Sequence, residues 1–173
     1  MSFTDYLKKA WEVVKLNKEV IEELSNDDKA MGPAIGIVAI SGVCWAIGTW
    51  NPLGIILMPI FRLIGFFIFF AIVHFAAATF LGGKGDFKRL LVPCGFATLV
   101  TWVAIIPFPP FAIFFGVLAG LWALVPCVLA TESVYGLDRG KAIIAVAIPL
   151  ALGIIISLVL AAAVGVGMLL LNT

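Results

Sequence analysis

Between Met31 and Trp50 no residue carries a charge, and four more runs of this kind follow, each long enough to cross a bilayer and each ended by a short polar or proline-rich break. At 1.5 Å per residue, about 20 residues span the ~30 Å hydrocarbon layer. In lipid the backbone groups of such a run must be satisfied within the segment itself, which requires helices. A chain that is 63% hydrophobic and 12% charged cannot hide five such runs in a soluble core, since soluble domains carry about a quarter charged residues. The fold class is therefore all-α integral membrane: a five-helix transmembrane bundle with an N-terminal amphipathic interfacial helix.

Chain punctuation divides residues 1–30, read as a cytoplasmic amphipathic helix, from residues 31–173, read as a five-span transmembrane domain. The spans are expected at about 31–50, 63–81, 87–106, 111–131 and 142–165. Asn51 and Pro52 make a turn, after which the chain is apolar from Leu53 to Leu81 apart from Arg62 and His74. That run is too long for one upright helix. If its last part spans the bilayer, Arg62 sits at the far interface with its head snorkelling to water, and residues 53–61, with Pro59, lie in or dip into that interface. Gly82-Gly83-Lys84-Gly85 stops the second helix and Asp86 caps the third. Pro107-Phe108-Pro109-Pro110 is a rigid turn. Glu132 to Lys141 is a polar loop in which Gly136 ends one helix and Asp138 caps the next, and Gly165 and Gly167 mark where the fifth helix leaves the membrane or frays.

Charge fixes an orientation. Of the 11 basic residues all but Arg62 lie before residue 31, in the stretch Lys84 to Arg89, or at Arg139 and Lys141. With five spans these segments share one side, and the other side receives turns without a charged side chain. The positive-inside rule then places the N-terminus in the cytoplasm and the C-terminus outside. On a helical wheel Phe3, Tyr6, Leu7, Ala10, Val14, Ile21 and Leu24 share one face. This helix lies on the membrane surface or packs under the bundle. Because residues 1–30 hold more acids than bases, buried apolar area rather than attraction to anionic lipid must seat it. With a net charge of +1, no basic field exists to hold nucleic acid.

Chemistry-bearing residues are few. His74, the one histidine, falls inside a span, where ionisable groups mark functional sites by default. Cys94 and Cys127, each in the string Val-Pro-Cys, sit at comparable depth, and an imidazole with two thiolates could bind zinc, copper or haem iron. Against that, the three are not spaced as a local chelate, free cysteine is ordinarily a small apolar core residue, and His74 can serve as an interhelical hydrogen-bonder. No disulfide and no cofactor is expected. Pro93, Pro126 and Pro149 fall in the cytoplasmic halves of three helices, so kinks and freed carbonyls there predict a cytoplasm-facing cavity. A coupled transporter is disfavoured because no span contains an acid. Gly32 with Gly36, Gly116 with Gly120, and Ala161 with Gly165 follow the small-xxx-small spacing of close helix pairs. One histidine and no intramembrane carboxylate assemble no catalytic constellation, so the chain reads as no enzyme.

The order of motifs carries a resemblance. His74 is followed by Gly82-Gly83-Lys84-Gly85-Asp86-Phe87-Lys88-Arg89-Leu90, then by Tyr135-Gly136-Leu137-Asp138-Arg139-Gly140-Lys141-Ala142. Over roughly residues 1 to 165 this resembles the Yip1 domain family, whose members have five spans, a histidine upstream of a GGKG-type loop, and an RGKA-like string opening the last span. The resemblance implies a non-enzymatic membrane scaffold or adaptor. Eukaryotic members sit in ER and Golgi membranes, associate with prenylated small GTPases and related five-span proteins, and act in vesicle formation. No DLYGP-like string precedes the first span here, so the GTPase partner is not carried over. The chain looks more like the short bacterial and archaeal members; the resemblance implies the cell membrane for a prokaryotic chain and ER or Golgi membranes for a eukaryotic one. Expected partners are the bilayer, anionic lipid headgroups, and like or related five-span chains. The candidate functional residues are His74, Gly82, Gly83, Lys84, Gly85, Lys88, Arg89, Glu132, Tyr135, Gly136, Arg139 and Lys141. The alternative is a conduit for a small molecule, lipid or ion.

Overall fold

The structure, a computed structural model, describes residues 2–171, with side chains to residue 163. Its helices are α1 (Phe3–Val14), α2 (Lys18–Ser25), α3 (Met31–Gly48), α4 (Gly54–Phe75), α5 (Phe87–Ala97), α6 (Pro109–Tyr135) and α7 (Arg139–Leu171). A π-helical turn, Ala76–Phe80, extends α4, and a 3-10 segment, Thr98–Ile105, extends α5. Five of these units are long and apolar enough to cross a membrane. No strand occurs among the described residues.

The N-terminal segment differs from the single helix expected. Ser2 opens α1 with a capping box, its hydroxyl accepting from the Asp5 amide while Asp5 accepts from the Ser2 amide. The helix breaks at Leu16, whose φ of +66° is left-handed, and Asn17 caps α2 through the Val20 amide. The resulting hairpin packs beneath the bundle, against α5 and α6, with Tyr6, Ala10, Val13, Ile21 and Leu24 buried. Tyr6 stacks on Phe96 at 5.8 Å, and Trp122 of α6 donates to the Val14 carbonyl at 3.2 Å. The face read from the wheel is thus spent on protein, except for the exposed Phe3.

A second difference concerns α4. The Asn51 side chain accepts from the Gly54 amide at 2.9 Å and starts the helix there, so 54–80 is one continuous rod, with no separate interfacial segment. Pro59 falls within its second turn, where the lost hydrogen bond is tolerated in a packed membrane helix. Arg62 consequently lies about 12 Å inside the start of α4 rather than at its edge. Its Nε donates to Ser41 Oγ on α3 at 3.3 Å, while the residue as a whole stays exposed on the bundle surface. At the other end of the chain, α7 continues through Gly165 and Gly167 without a break.

α3 stands at the centre, against α4, α5, α6 and the 3-10 segment, and α7 closes on α6 and α4. The closest approach is at Gly48, where an added Cβ would stand 1.8 Å from the Ala104 carbonyl oxygen and 2.7 Å from the Ala112 Cβ. Of the small-residue pairs, Gly116 meets Trp45, whereas Gly32 and Gly120 face open space. Gly165 of the third pair lies outside the described side chains. The Pro93 and Pro126 rings are themselves buried in the core, and the residues that follow them, Cys94 and Cys127, line a cleft. This cleft, of about 300 Å³, opens between α4 and α6, with Val38, Arg62, Phe70, Cys94, Thr101 and Cys127 among its walls.

Apart from Arg62, charge separates along the bundle. The hairpin, 82–89 and 132–141 share one end, and at the other the Trp50 indole donates to the Pro107 carbonyl at 2.9 Å, tying two turns that carry no charged side chain. A tryptophan in that position suits a membrane–water boundary.

Candidate functional site

At the charged end, three segments distant in sequence converge on Tyr135, the last residue of α6. Its hydroxyl stands 2.5 Å from Nδ1 of His74, which projects from α4 just before the π turn. Phe87, the first residue of α5, lies against the imidazole with ring centroids 5.4 Å apart. The histidine's partner is therefore a phenol.

The glycine loop is shaped by the same tyrosine. A Cβ on Gly83 would stand 2.8 Å from the Tyr135 Cβ, and one on Gly85 would stand 2.7 Å from both the Tyr135 ring and the Val134 carbonyl. Only residues without side chains let the loop lie across this ring. Its backbone is pinned there by the Gly83 amide donating to Ala77 at 2.9 Å and the Lys84 amide donating to the Tyr135 carbonyl at 3.1 Å. Gly82 and Gly136 supply the left-handed turns at φ +75° and +63°. Asp86 then caps α5 through the Arg89 amide, and Asp138 receives the Lys141 amide at the start of α7.

The charged residues divide into two bridges anchored on the hairpin. Lys88 pairs with Asp28 at 2.8 Å and Arg89 bonds Asn26, tying α5 to the link before α3. The Asp28 carboxyl is held below its ordinary value chiefly by the Lys88 hydrogen bond. Glu132 receives Arg139 at 3.2 Å and lies 3.8 Å from Lys18, while Ser133 donates to Glu22 at 3.3 Å. Between these groups and α2 is a cavity of about 300 Å³ with mixed walls, to which Ile21 and Leu129 contribute the apolar part. Lys141 reaches only Asp138 of its own helix start, at 3.9 Å. Lys84 is exposed and makes no ion pair among the described residues.

Of the expected site residues, the structure gathers His74, Gly82, Gly83, Lys84, Gly85, Tyr135 and Gly136 into one unit and sets Lys88, Arg89, Glu132, Arg139 and Lys141 around it. Cys94 and Cys127 are buried neighbours in the cleft wall and do not join His74 in a chelate. Among the described residues no three His, Cys, Asp or Glu could hold a metal ion. Sequence reasoning did not find Asn26 and Asp28 as partners of the glycine-loop region, nor Ser41 as the partner of Arg62. Asn17 before α2 was the one local sign that the hairpin would turn.

A model of the Yip1 domain matches residues 11–161. The chain belongs to the Yip1 domain family. Comparison with curated proteins and with solved structures finds no match. The matched stretch begins inside α1 and ends in α7, so it takes in every element that packs around Tyr135. This Yip1 domain is an integral, multi-pass membrane protein.

Proposed function

We propose that this Yip1 domain is a non-enzymatic membrane scaffold or adaptor, oriented with its charged end in the cytoplasm, which recruits a protein or anionic lipid surface through that end. The observation that supports this reading is the convergence of the hairpin, the glycine loop and the 132–141 loop into one polar face with the Lys84 ammonium uncovered at its edge. An ion pair with Asp28 occupies Lys88 and a hydrogen bond to Asn26 occupies Arg89, so Lys84 is the basic residue of that stretch left to meet a partner. Any assembly with a second copy or a related five-span chain would use α4 or α7, whose apolar side chains are mostly exposed.

The test is Lys84→Glu in native membranes, read by crosslinking from the glycine loop and by sedimentation with vesicles containing phosphatidylserine. Loss of the crosslinked partner or of vesicle binding, with unchanged melting, supports the proposal. Unchanged recruitment, or none in the native chain, removes it. The conduit reading has less behind it, since the residues lining the cleft between α4 and α6 include none of the loops at the charged end.

A further inference from the structure

We propose that the cleft between α4 and α6 binds a single-chain anionic amphiphile, a long-chain fatty acid, whose carboxylate is held by Arg62. This site lies apart from the polar face and does not depend on the scaffold reading.

Arg62 is a cation about 12 Å inside the start of an apolar helix, and among the described residues it makes no ion pair. Only its Nε has a partner, Ser41 Oγ. Ser41 itself is seven residues short of the end of α3, about 10 Å from the uncharged end of that helix. An ionised guanidinium at such depth calls for an anion, and the chain offers none there: every acidic residue lies at the charged end. The unused fork of Arg62 matches a carboxylate in bidentate fashion.

The space beside it fits the rest of such a molecule. The cleft has the volume of a small-ligand pocket, about 300 Å³. Arg62 lines it together with Phe66, Phe69 and Phe70 of α4 and Cys127 of α6. From Arg62 to Phe70 the helix advances about 12 Å toward the charged end. A head on Arg62 with its tail along the phenylalanines has the orientation of an amphiphile in the leaflet at the uncharged end. Access is lateral, because α4 leans on α3 and leaves a gap to α6. On the two walls of that gap, Gly65 and Gly120 both face open space, with no heavy atom within 4 Å of an added Cβ. A compact head and one tail suit this depth and volume, whereas a two-chain phospholipid would have to draw its phosphate down from the interface.

The test uses the full chain in neutral detergent, with palmitate as probe and native mass spectrometry as readout. Wild type should take up one palmitate, and methyl palmitate, which has the tail without the charge, should bind about tenfold more weakly, as expected for loss of one charge-assisted contact. Arg62→Gln should lose palmitate to the same degree, with Arg62→Lys between the two. Gly120→Phe fills the cleft while leaving Arg62 in place, and should abolish uptake. Gly153→Phe, in open space on α7, should not. Equal uptake of acid and ester, retention by Gly120→Phe, or selective retention of phosphatidylglycerol in place of palmitate would each overturn the proposal. Loss on Lys84→Gln but not on Arg62→Gln would move the anion to the polar face and overturn it as well.

Discussion

Nδ1 of His74 and the phenolic oxygen of Tyr135 stand 2.5 Å apart and join α4 to α6 across 61 residues of sequence. The pair is the clasp of the charged end: the π turn begins two residues after the histidine, and the glycine loop lies over the tyrosine. Interhelical hydrogen bonds in membranes average about 0.6 kcal/mol and reach about 1.7. This one is flanked by Phe87, which limits compensation by water, so the upper part of that range applies.

Tyr135→Phe should therefore lower unfolding free energy by about 1 kcal/mol, and His74→Phe by a similar amount, since each leaves one polar partner unmet. The double variant should cost less than the sum of the two. A double-mutant cycle by denaturation in mixed micelles measures this coupling, and strict additivity would show that the two groups do not interact.

The glycine loop should respond by position. Gly85→Ala drives a Cβ into the Tyr135 ring and the Val134 carbonyl, so backbone must shift at a cost of about 1 to 3 kcal/mol. Gly82→Ala meets open space and bears only the strain of a positive φ, about 1 kcal/mol. Amide hydrogen exchange at Lys84, whose N–H is held by the Tyr135 carbonyl, should rise in Gly85→Ala far more than in Gly82→Ala. Equal responses would mean that the loop is not seated on the tyrosine.

Five helices and the segregation of charge to one end were legible because both are written in local composition: uncharged runs of membrane length, and basic residues in alternate loops. The Asp86 and Asp138 caps were legible for the same reason, as each immediately precedes its helix. Arg62 was misplaced because a run from Leu53 to Leu81 does not reveal where its helix begins; that is set by the Asn51 side chain and the left-handed Trp50, a local geometry that composition hides. The turn at Leu16 was missed because leucine there carries none of the usual signals of a break. Pairings such as His74 with Tyr135, Lys88 with Asp28 and Arg62 with Ser41 join residues on different helices, and no periodicity along one helix could assign them.

Acid should loosen the bridge between α5 and the hairpin. The Asp28 carboxyl is depressed below 3.8, first by the Lys88 hydrogen bond and next by its charge. A depressed value means that the unfolded chain binds this proton more tightly, so the contribution is present above about pH 3.8 and lost as pH falls through the lower folded value. The group is fully exposed, so the effect is small and screened by salt. Melting temperature against pH should fall less steeply in this window for Asp28→Asn than for wild type, and the two curves should converge in acid. Parallel curves would show that the pair contributes nothing.

Gly48 should be the least replaceable glycine of the spans. It lies where the end of α3 crosses the 3-10 segment, and an added methyl would sit 1.8 Å from the Ala104 carbonyl oxygen, a backbone atom that no rotamer change can move aside. The displacement must be taken up by the segment as a whole, whose far end is also tied to the turn after α3 through Trp50 and the Pro107 carbonyl. Overpacking of this kind costs about 1 to 3 kcal/mol where side chains can yield, and the upper end applies when backbone must move. Gly48→Ala should therefore destabilise by about 3 kcal/mol and loosen the Trp50 indole, seen as faster exchange of its N–H. Gly153→Ala, which meets open space on α7, should leave stability within about 0.5 kcal/mol. If the two variants melted alike, the close crossing of α3 and the 3-10 segment would not be a constraint on this fold.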